Sequence, residues 1–361
     1  MKKIDTIITI IMVLIVISGT TALICINLGT QRNSPRTITD MAGREVKIPE
    51  EINRIVGIEA GALRLIVYLG ASDRVVGVEE IEHTSNNTRP YIIAHPELQA
   101  LPSIGQYHGG DAELITAQQP DVIFWTFVEV GDADALQSKT GIPVVVLEYG
   151  DLEENKDTFY EALGLMGEIL NLESRVLELK TFFDNIIGDL DNRTKDIPIG
   201  EKPSVYVGGV SYRGAHGITS TEVTYGPFLY INALNVASNL TGDHIFIDPE
   251  QLIEWNPDIL IIDEGGYSLV KEDLQNTTAL YNTLDAVKNN EMYCVLPYNQ
   301  YTTNFGSILA NAYYVGSVIF EEQFSDINPI EKTAEIYSYL VGIDVYQAMV
   351  EAFGGFKQLV L

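Results

Sequence analysis

The chain has 361 residues, 46% of them hydrophobic and 20% charged, a globular composition long enough for two domains that each bury a core. Its 50 acidic residues outnumber 22 basic ones, and the formal charge of −28 repels a phosphate backbone, so nucleic acid is excluded as a natural partner. Two cysteines, Cys25 and Cys294, can form neither a disulfide framework nor a structural zinc site.

Lys2 and Lys3 lead an apolar run from Ile7 to about Ile26, with no charged residue between Asp5 and Arg32. About 20 apolar helical residues cross a bilayer core. Residues 1–28 therefore read as a signal peptide or a membrane anchor, with small residues from Ser18 to Ala22 that permit cleavage after Ala22. A lipid-modified Cys25 is disfavoured, because Ile24 stands where a small residue is expected. Residues 29–36 form a polar linker. The rest is expected outside the cytoplasmic membrane, away from ATP and nicotinamide cofactors. Asn-x-Thr sequons at Asn86, Asn192, Asn239 and Asn276 fit that location.

From Arg54 to Ile58 the chain reads as a strand, followed by a helix over Leu63 to Leu69 and further strands at Arg74–Val78, Asp121–Trp125 and Pro143–Leu147, with a helix near Asp132–Lys139. Strands apolar throughout and alternating with helices predict a parallel sheet covered on both faces. The second half repeats the scheme, with strands at Val205–Val210, Ile259–Asp263 and Met292–Leu296 and helices at Tyr225–Ala237 and Phe305–Phe320. Two terminal helices between Pro329 and Phe356 are broken around Gly342. Between the halves, Leu172, Val176, Leu179, Phe183, Ile186 and Leu190 recur at three- and four-residue steps, with charged residues on the other faces. That is one long amphipathic helix. The expected organisation is an α/β fold of two Rossmann-like lobes with parallel-rich central sheets: a lobe over 37–165, a connecting helix over 166–195 and a second lobe over 203–361.

A repeated segment supports the two-lobe reading. Asp111-Ala-Glu113 precedes Pro120-Asp121-Val-Ile-Phe, and Asp248-Pro-Glu250 precedes Pro257-Asp258-Ile-Leu-Ile, all at an offset of 137 residues (111 to 248, 113 to 250, 120 to 257). Both read as an N-cap Asp, a short helix, a Pro-Asp turn and a buried strand. Glu113 and Glu250 then occupy matching first helical turns, where the helix dipole favours a carboxylate. Matched carboxylates on one side of a bilobed molecule suit docking to a partner carrying arginines.

At these residues the chain resembles the substrate-binding proteins of ABC importers for iron–siderophore, haem and cobalamin, the class with a rigid helix between lobes. The stretch Ile38 to Pro49 (ITDMAGREVKIP) resembles that family's opening, and Gly70 to Gly77 (GASDRVVG) and the two Glu…Pro-Asp segments follow its pattern. The resemblance implies that Glu113 and Glu250 bind permease arginines, that the permease works with a cytoplasmic ATPase, and that ligand sits between the lobes. It implies no catalysis and no cofactor, and a single chain suffices. Ferric siderophore, haem, corrinoid and oxyanion such as molybdate are all open as ligands of related clefts, as is reuse of the fold as a surface sensor. No G-x-S-x-G or H-E-x-x-H motif points to a hydrolase.

Parallel sheets place ligands beyond the carboxyl ends of their strands. The residues there are Glu59, Trp125, Phe127 and Tyr149 in the first half, joined by Tyr107 and His108. In the second half they are Tyr212, Arg213, His216, Tyr267, Tyr298, Tyr301 and Asn304. Aromatic rings suit stacking on a macrocycle or a catecholate, and Arg213 suits an anionic chelate. Five scattered histidines predict no bare metal-ion site, so the expected ligand is an iron or cobalt chelate.

Overall fold

The structure is a computed structural model that describes residues 35–84, 88–276 and 281–360. The expected export segment, Cys25, nearly all of the linker and the sequon at Asn86 lie outside the described residues. Among the described residues no helix is long and apolar enough to cross a membrane.

A hairpin of β1 (Arg36–Thr39) and β2 (Glu45–Ile48) opens the first lobe. It continues through β3 (Ile55–Ile58), α1 (Ala62–Tyr68), α2 (Pro90–Ala94), α3 (Ala112–Gln118), β4 (Val122–Thr126), α4 (Val130–Thr140) and β5 (Val144–Leu147). The order is β3-β4-β5, all parallel, and every residue of the three strands is buried. This is the burial that their unbroken apolar runs demand. The strand expected over Arg74–Val78 is reduced to two parallel bridges, Ile55 to Val75 and Val78 to Ser103.

Two helices follow, α5 (Lys156–Leu170) and α6 (Glu173–Thr194). The expected single helix over 166–195 is thus divided, with the 22-residue α6 as the connector. Asn171 takes a left-handed conformation (φ 56) and the amide of Leu172 returns to the Gly167 carbonyl at 2.8 Å, which turns the chain back on itself. Gly167 lets the two helices meet, because a Cβ there would overlap the Val176 side chain. The periodicity of Leu172 to Leu190 carries no mark of that turn, since its apolar face buries against α5 and the later helices alike.

The second lobe contains β6 (Ser204–Gly208), β7 (Ser220–Glu222), α7 (Gly226–Tyr230), β8 (Leu234–Asn235), β9 (His244–Phe246), α8 (Pro249–Trp255), β10 (Ile259–Asp263), α9 (Tyr267–Asn276), α10 (Asp285–Lys288) and β11 (Met292–Val295). Then come α11 (Phe305–Ile319), α12 (Pro329–Val341), α13 (Tyr346–Phe353) and β12 (Lys357–Gln358). The sheet order is β12-β11-β10-β6-β8, parallel except for β12, and β7 pairs with β9 as a separate antiparallel ribbon. The helix expected over Tyr225–Ala237 stops at Tyr230, because Asn232 turns left-handed (φ 52) and the chain enters β8. Gly342 (φ 92) ends α12 where the break was expected.

The duplication holds element by element. Helices α3 and α8, and strands β4 and β10, share boundaries at the same 137-residue offset seen in the sequence. Both helices end on a left-handed residue, Gln119 and Asn256. Asp121 then accepts the Asn53 and Arg54 amides at 2.8 and 2.9 Å, and Asp258 accepts the Ser204 amide at 2.7 Å, each securing the start of the next strand over. The Asp111 carboxylate caps α3, whereas Asp248 makes no side-chain cap bond. Pro249, lacking an N–H, leaves one unpaired donor fewer at the start of α8.

Replacing Gly167 with alanine should force α5 and α6 apart and lower stability by about 1–3 kcal/mol, read as a lower urea midpoint at unchanged slope.

Candidate functional site

The cleft is built on one loop of the second lobe, Tyr298 to Asn304, held by a side chain of the first. Arg64 lies on α1 and is wholly buried. Its guanidinium donates to the carbonyls of Gln300, Tyr301 and Thr303 at 3.0, 3.0 and 2.8 Å, to Asn304 Oδ1 at 3.0 Å, and to the Tyr149 hydroxyl. Tyr149 passes its own proton to the Thr303 carbonyl at 2.8 Å. From that anchored loop Asn299 reaches the Ser211 carbonyl at 2.9 Å on one side, and the Tyr301 hydroxyl reaches Glu79 at 2.8 Å on the other. The loop is therefore the floor between the lobes.

The wall of the first lobe rises from Glu59, His108 and Phe127. Glu59 pairs with His108 Nδ1, and the His108 ring meets Tyr107 edge-on, with centroids 4.5 Å apart, and Tyr301 at 6.0 Å. Tyr107 and Phe127 are 52% and 61% exposed, far from the burial usual for such rings. The opposite wall carries Tyr212 stacked on His244 (4.4 Å, 9°), with Phe246 edge-on to His216 and His244 at 4.8 and 4.9 Å. Arg213 stands beside Tyr212, 5.4 Å from its ring centroid.

Two adjoining hollows complete the cleft. One of ≈ 650 Å³ lies among Phe127, Glu129, Glu148, Asp151 and Asn155. The other, ≈ 220 Å³, has Asp151 and Glu153 on one side and Glu222 and Asp243 on the other. The surroundings are thus rich in carboxylates. Burial pushes Glu79, Glu153 and Glu222 up to about 7, against hydrogen bonds from Tyr301, Tyr230 and Tyr298 that pull them down. Of eleven non-glycine residues with positive φ among the described residues, six are here: Glu59, His108, Phe127, Arg213, Tyr301 and Thr302. Backbone strain of this kind persists where the surrounding structure over-determines it, and it concentrates at functional sites.

The residues expected at strand ends divide in two. Glu59, Tyr107 and Tyr301 meet through His108, Tyr212, Arg213 and His216 gather with His244 and Phe246, and Phe127 lines the larger hollow. Tyr149, Tyr298, Asn304 and Trp125 are buried, with Tyr149 and Tyr298 lining the two hollows. Tyr149 stacks on Phe305 at 5.2 Å, Tyr298 bonds Glu222, Asn304 precedes α11 and takes the Arg64 bond, and Trp125 packs in the core behind β4. Tyr267 lies under the Lys357 ammonium at 4.7 Å, tied to the edge strand β12 instead of the cleft. A strand-end position alone does not separate a ring that faces ligand from one that fills the corner beneath it. Arg64, His244 and Phe246 were not among the expected contacts. Arg64 did carry a signal, as the only charge between Glu59 and Asp73 in an apolar helix. Glu113 and Glu250 are both exposed in the first turns of α3 and α8.

Comparison with known proteins agrees with this architecture. Residues 55–297 match the periplasmic binding protein family model. The chain is 25% identical over 317 residues to the molybdate-binding protein MolA of Haemophilus influenzae, covering 81% of this chain and 87% of MolA. The structure of MolA with molybdate superposes with a TM-score of 0.67 at 20% identity, covering 86% of this chain and 98% of that one. An ABC transporter substrate-binding lipoprotein of Bacillus subtilis, YvrC, is 24% identical over 265 residues, 73% of this chain and 79% of its own. A periplasmic solute binding protein from Veillonella parvula superposes with a TM-score of 0.69 at 18% identity, covering 88% and 96%. The chain belongs to the periplasmic binding protein family. It is a substrate-binding component of an ABC transporter.

Two outcomes follow from this geometry. Arg64→Met should strand several buried acceptors and cost about 3–5 kcal/mol, with faster amide exchange confined at first to residues 298–304. Because the folded protein holds the Glu79 proton more tightly than the unfolded chain, the stability this group contributes is fully present below about pH 4.5 and is lost as pH rises through about 7. Glu79→Gln should flatten that slope and raise the melting temperature at pH 8, corresponding to about 2–3 kcal/mol at most.

Proposed function

We propose that the protein captures a metal chelate with an aromatic or macrocyclic face (a ferric siderophore, haem or a corrinoid) and delivers it to an ABC permease and its ATPase. The observation that carries this reading is the set of exposed rings, Tyr107 and Phe127 of the first lobe and Tyr212 and Phe246 of the second, beside hollows rich in carboxylates. Rings of this size bind flat ligands by stacking and burial. A small oxyanion needs converging donors in a desolvated pocket. Here Arg64 is already saturated by the floor loop and Arg89 is bonded to Glu82, which leaves Arg213 as the arginine at the cleft mouth.

A second reading, capture of an oxyanion such as molybdate, is favoured by the kinship with MolA. Titrating the full chain with haemin, aquocobalamin, a ferric catecholate and molybdate separates the two. Micromolar or tighter binding of a chelate, weakened about tenfold in the double variant Phe127→Ala and Tyr212→Ala, is expected. Tight molybdate binding without any chelate binding would overturn the first reading.

Delivery is assigned to Glu113 and Glu250, whose equivalent helices offer exposed carboxylates to permease arginines. The double variant Glu113→Ala and Glu250→Ala should keep its ligand affinity and lose uptake by the reconstituted transporter. Loss of affinity with the fold intact would remove that assignment.

A further inference from the structure

We propose that the seam between the lobes is a pH-operated latch: it stays shut while Glu153 and Glu222, which line one hollow from opposite lobes, carry no more than one charge between them, and it parts when both are ionised. The latch is independent of the ligand's identity and acts on a chelate and an oxyanion alike. Its site is the hollow of ≈ 220 Å³, lined by Asp151, Glu153 and Glu154 from the first lobe and by Glu222 and Asp243 from the second. Among the described residues no lysine, arginine or histidine lines it.

Glu153 is the bolt. It belongs to the segment between β5 and α5, yet its carboxylate reaches the second lobe and accepts from the Tyr230 hydroxyl of α7. Gly226 in the first turn of α7 makes room for it, because a Cβ there would overlap Glu153 Oε1. The other oxygen, Oε2, accepts the Leu152 amide at 3.1 Å. Glu222 on β7 is met by the Tyr298 hydroxyl of the floor loop. Both carboxyls are thus bonded by neutral donors. Burial pushes Tyr225, Tyr230 and Tyr298 well above the ordinary tyrosine range, so these hydroxyls stay neutral. Lys156, the cation nearest to Glu153 along the chain, is committed to Asp184 at 3.0 Å.

The remaining neighbours are acidic. Burial first, and then adjoining carboxylates, push both groups up to about 7: Asp151 acts on Glu153, and Glu153 and Asp243 act on Glu222. Asp263, buried at the end of β10, is raised by burial and by Glu222 in turn. Two like charges in one small hollow repel, and no cation is at hand to offset the second. Parting the seam admits the water that ionisation demands. The shut seam therefore holds its protons more tightly than the parted one, so shutting is favoured below about pH 7 and is lost as pH rises through it. Arg64 keeps its charge throughout, which holds the floor loop and leaves the movement to the Glu153–α7 contact.

Hydrogen–deuterium exchange of the full chain, corrected for the intrinsic pH dependence of amide exchange, reads the seam at residues 151–155 and 222–231, with β10 as internal reference. Between about pH 6 and about pH 8, wild-type exchange at both segments should rise about tenfold relative to that reference. The double variant Glu153→Gln and Glu222→Gln keeps acceptors for Tyr230 and Tyr298, and it should stay slow at both pH values. Gly226→Ala should exchange fast at both, because the bolt no longer fits. Glu79→Gln should rise as the wild type does, which separates the seam from the floor. No rise in the wild type overturns the latch. So does a wild-type rise in the double variant or in Gly226→Ala, or a lost rise in Glu79→Gln. Should the double variant fail to fold, Gly226→Ala decides alone.

Discussion

The structure depends on a buried guanidinium. Arg64 sits on a helix of the first lobe with no exposed surface, and most of its acceptors are backbone carbonyls of a loop in the second. A charge taken out of water is tolerated only where its donors are satisfied, so the loop cannot drift without abandoning them. The consequence spreads along the loop. Tyr301 is set against Glu79 and near His108, Asn299 against Ser211, and Asn304 at the start of α11. The Arg64 ring of acceptors is therefore what converts two lobes into one cleft with a defined floor.

The duplication explains why the two walls resemble each other in framework and differ in chemistry. Each lobe uses the same sequence device: a short helix ended by a left-handed residue, a Pro-Asp turn, and an aspartate that secures the neighbouring strand. These parts lie at the ends of the strands away from ligand and answer only to packing and backbone bonding. At the carboxyl ends the constraint is lifted, and the residues diverge: Glu59, His108 and Phe127 on one side, Tyr212, His216 and the β7–β9 ribbon on the other. Strain collects there because the loops are positioned by the cleft rather than by regular pairing.

The same distinction governs how much was legible in the sequence. Buried parallel strands announce themselves through unbroken apolar runs, and Ile259–Asp263 forms as read, residue for residue. The 137-residue repeat survives into matched helices and strands because local capping chemistry dictates it. The turn at Asn171 was not legible, since α5 and α6 bury apolar faces of the same period and only the backbone angle of one residue divides them. Within the site, chain position located the right loops but could not rank their aromatic residues. Tyr107 and Tyr149 look alike as sequence. One stands in solvent, and the other is consumed by Arg64, Thr303 and Phe305, partners that come from 85 to more than 150 residues away. The ribbon that brings in His244 and Phe246 pairs residues some 22 to 26 apart in a register that no motif encodes.

The cleft also constrains the charge of what it accepts. Glu79, Glu153 and Glu222 are not matched by arginines; they are bonded by tyrosine hydroxyls, which donate a hydrogen bond without cancelling a charge. Burial then keeps Glu79, Glu153 and Glu222 near the midpoint of their titration at neutral pH. Such a surface carries little charge while its carboxyls are protonated and becomes strongly anionic as they ionise. Cationic groups on a cargo gain from that change and anionic groups lose by it, whether they belong to a chelate or to an oxyanion. The long-range field of a chain with a net charge of −28 acts in the same sense during approach. Aromatic walls supply attraction that is insensitive to ionisation, so the two features together select by shape at every pH and by charge more sharply as pH rises.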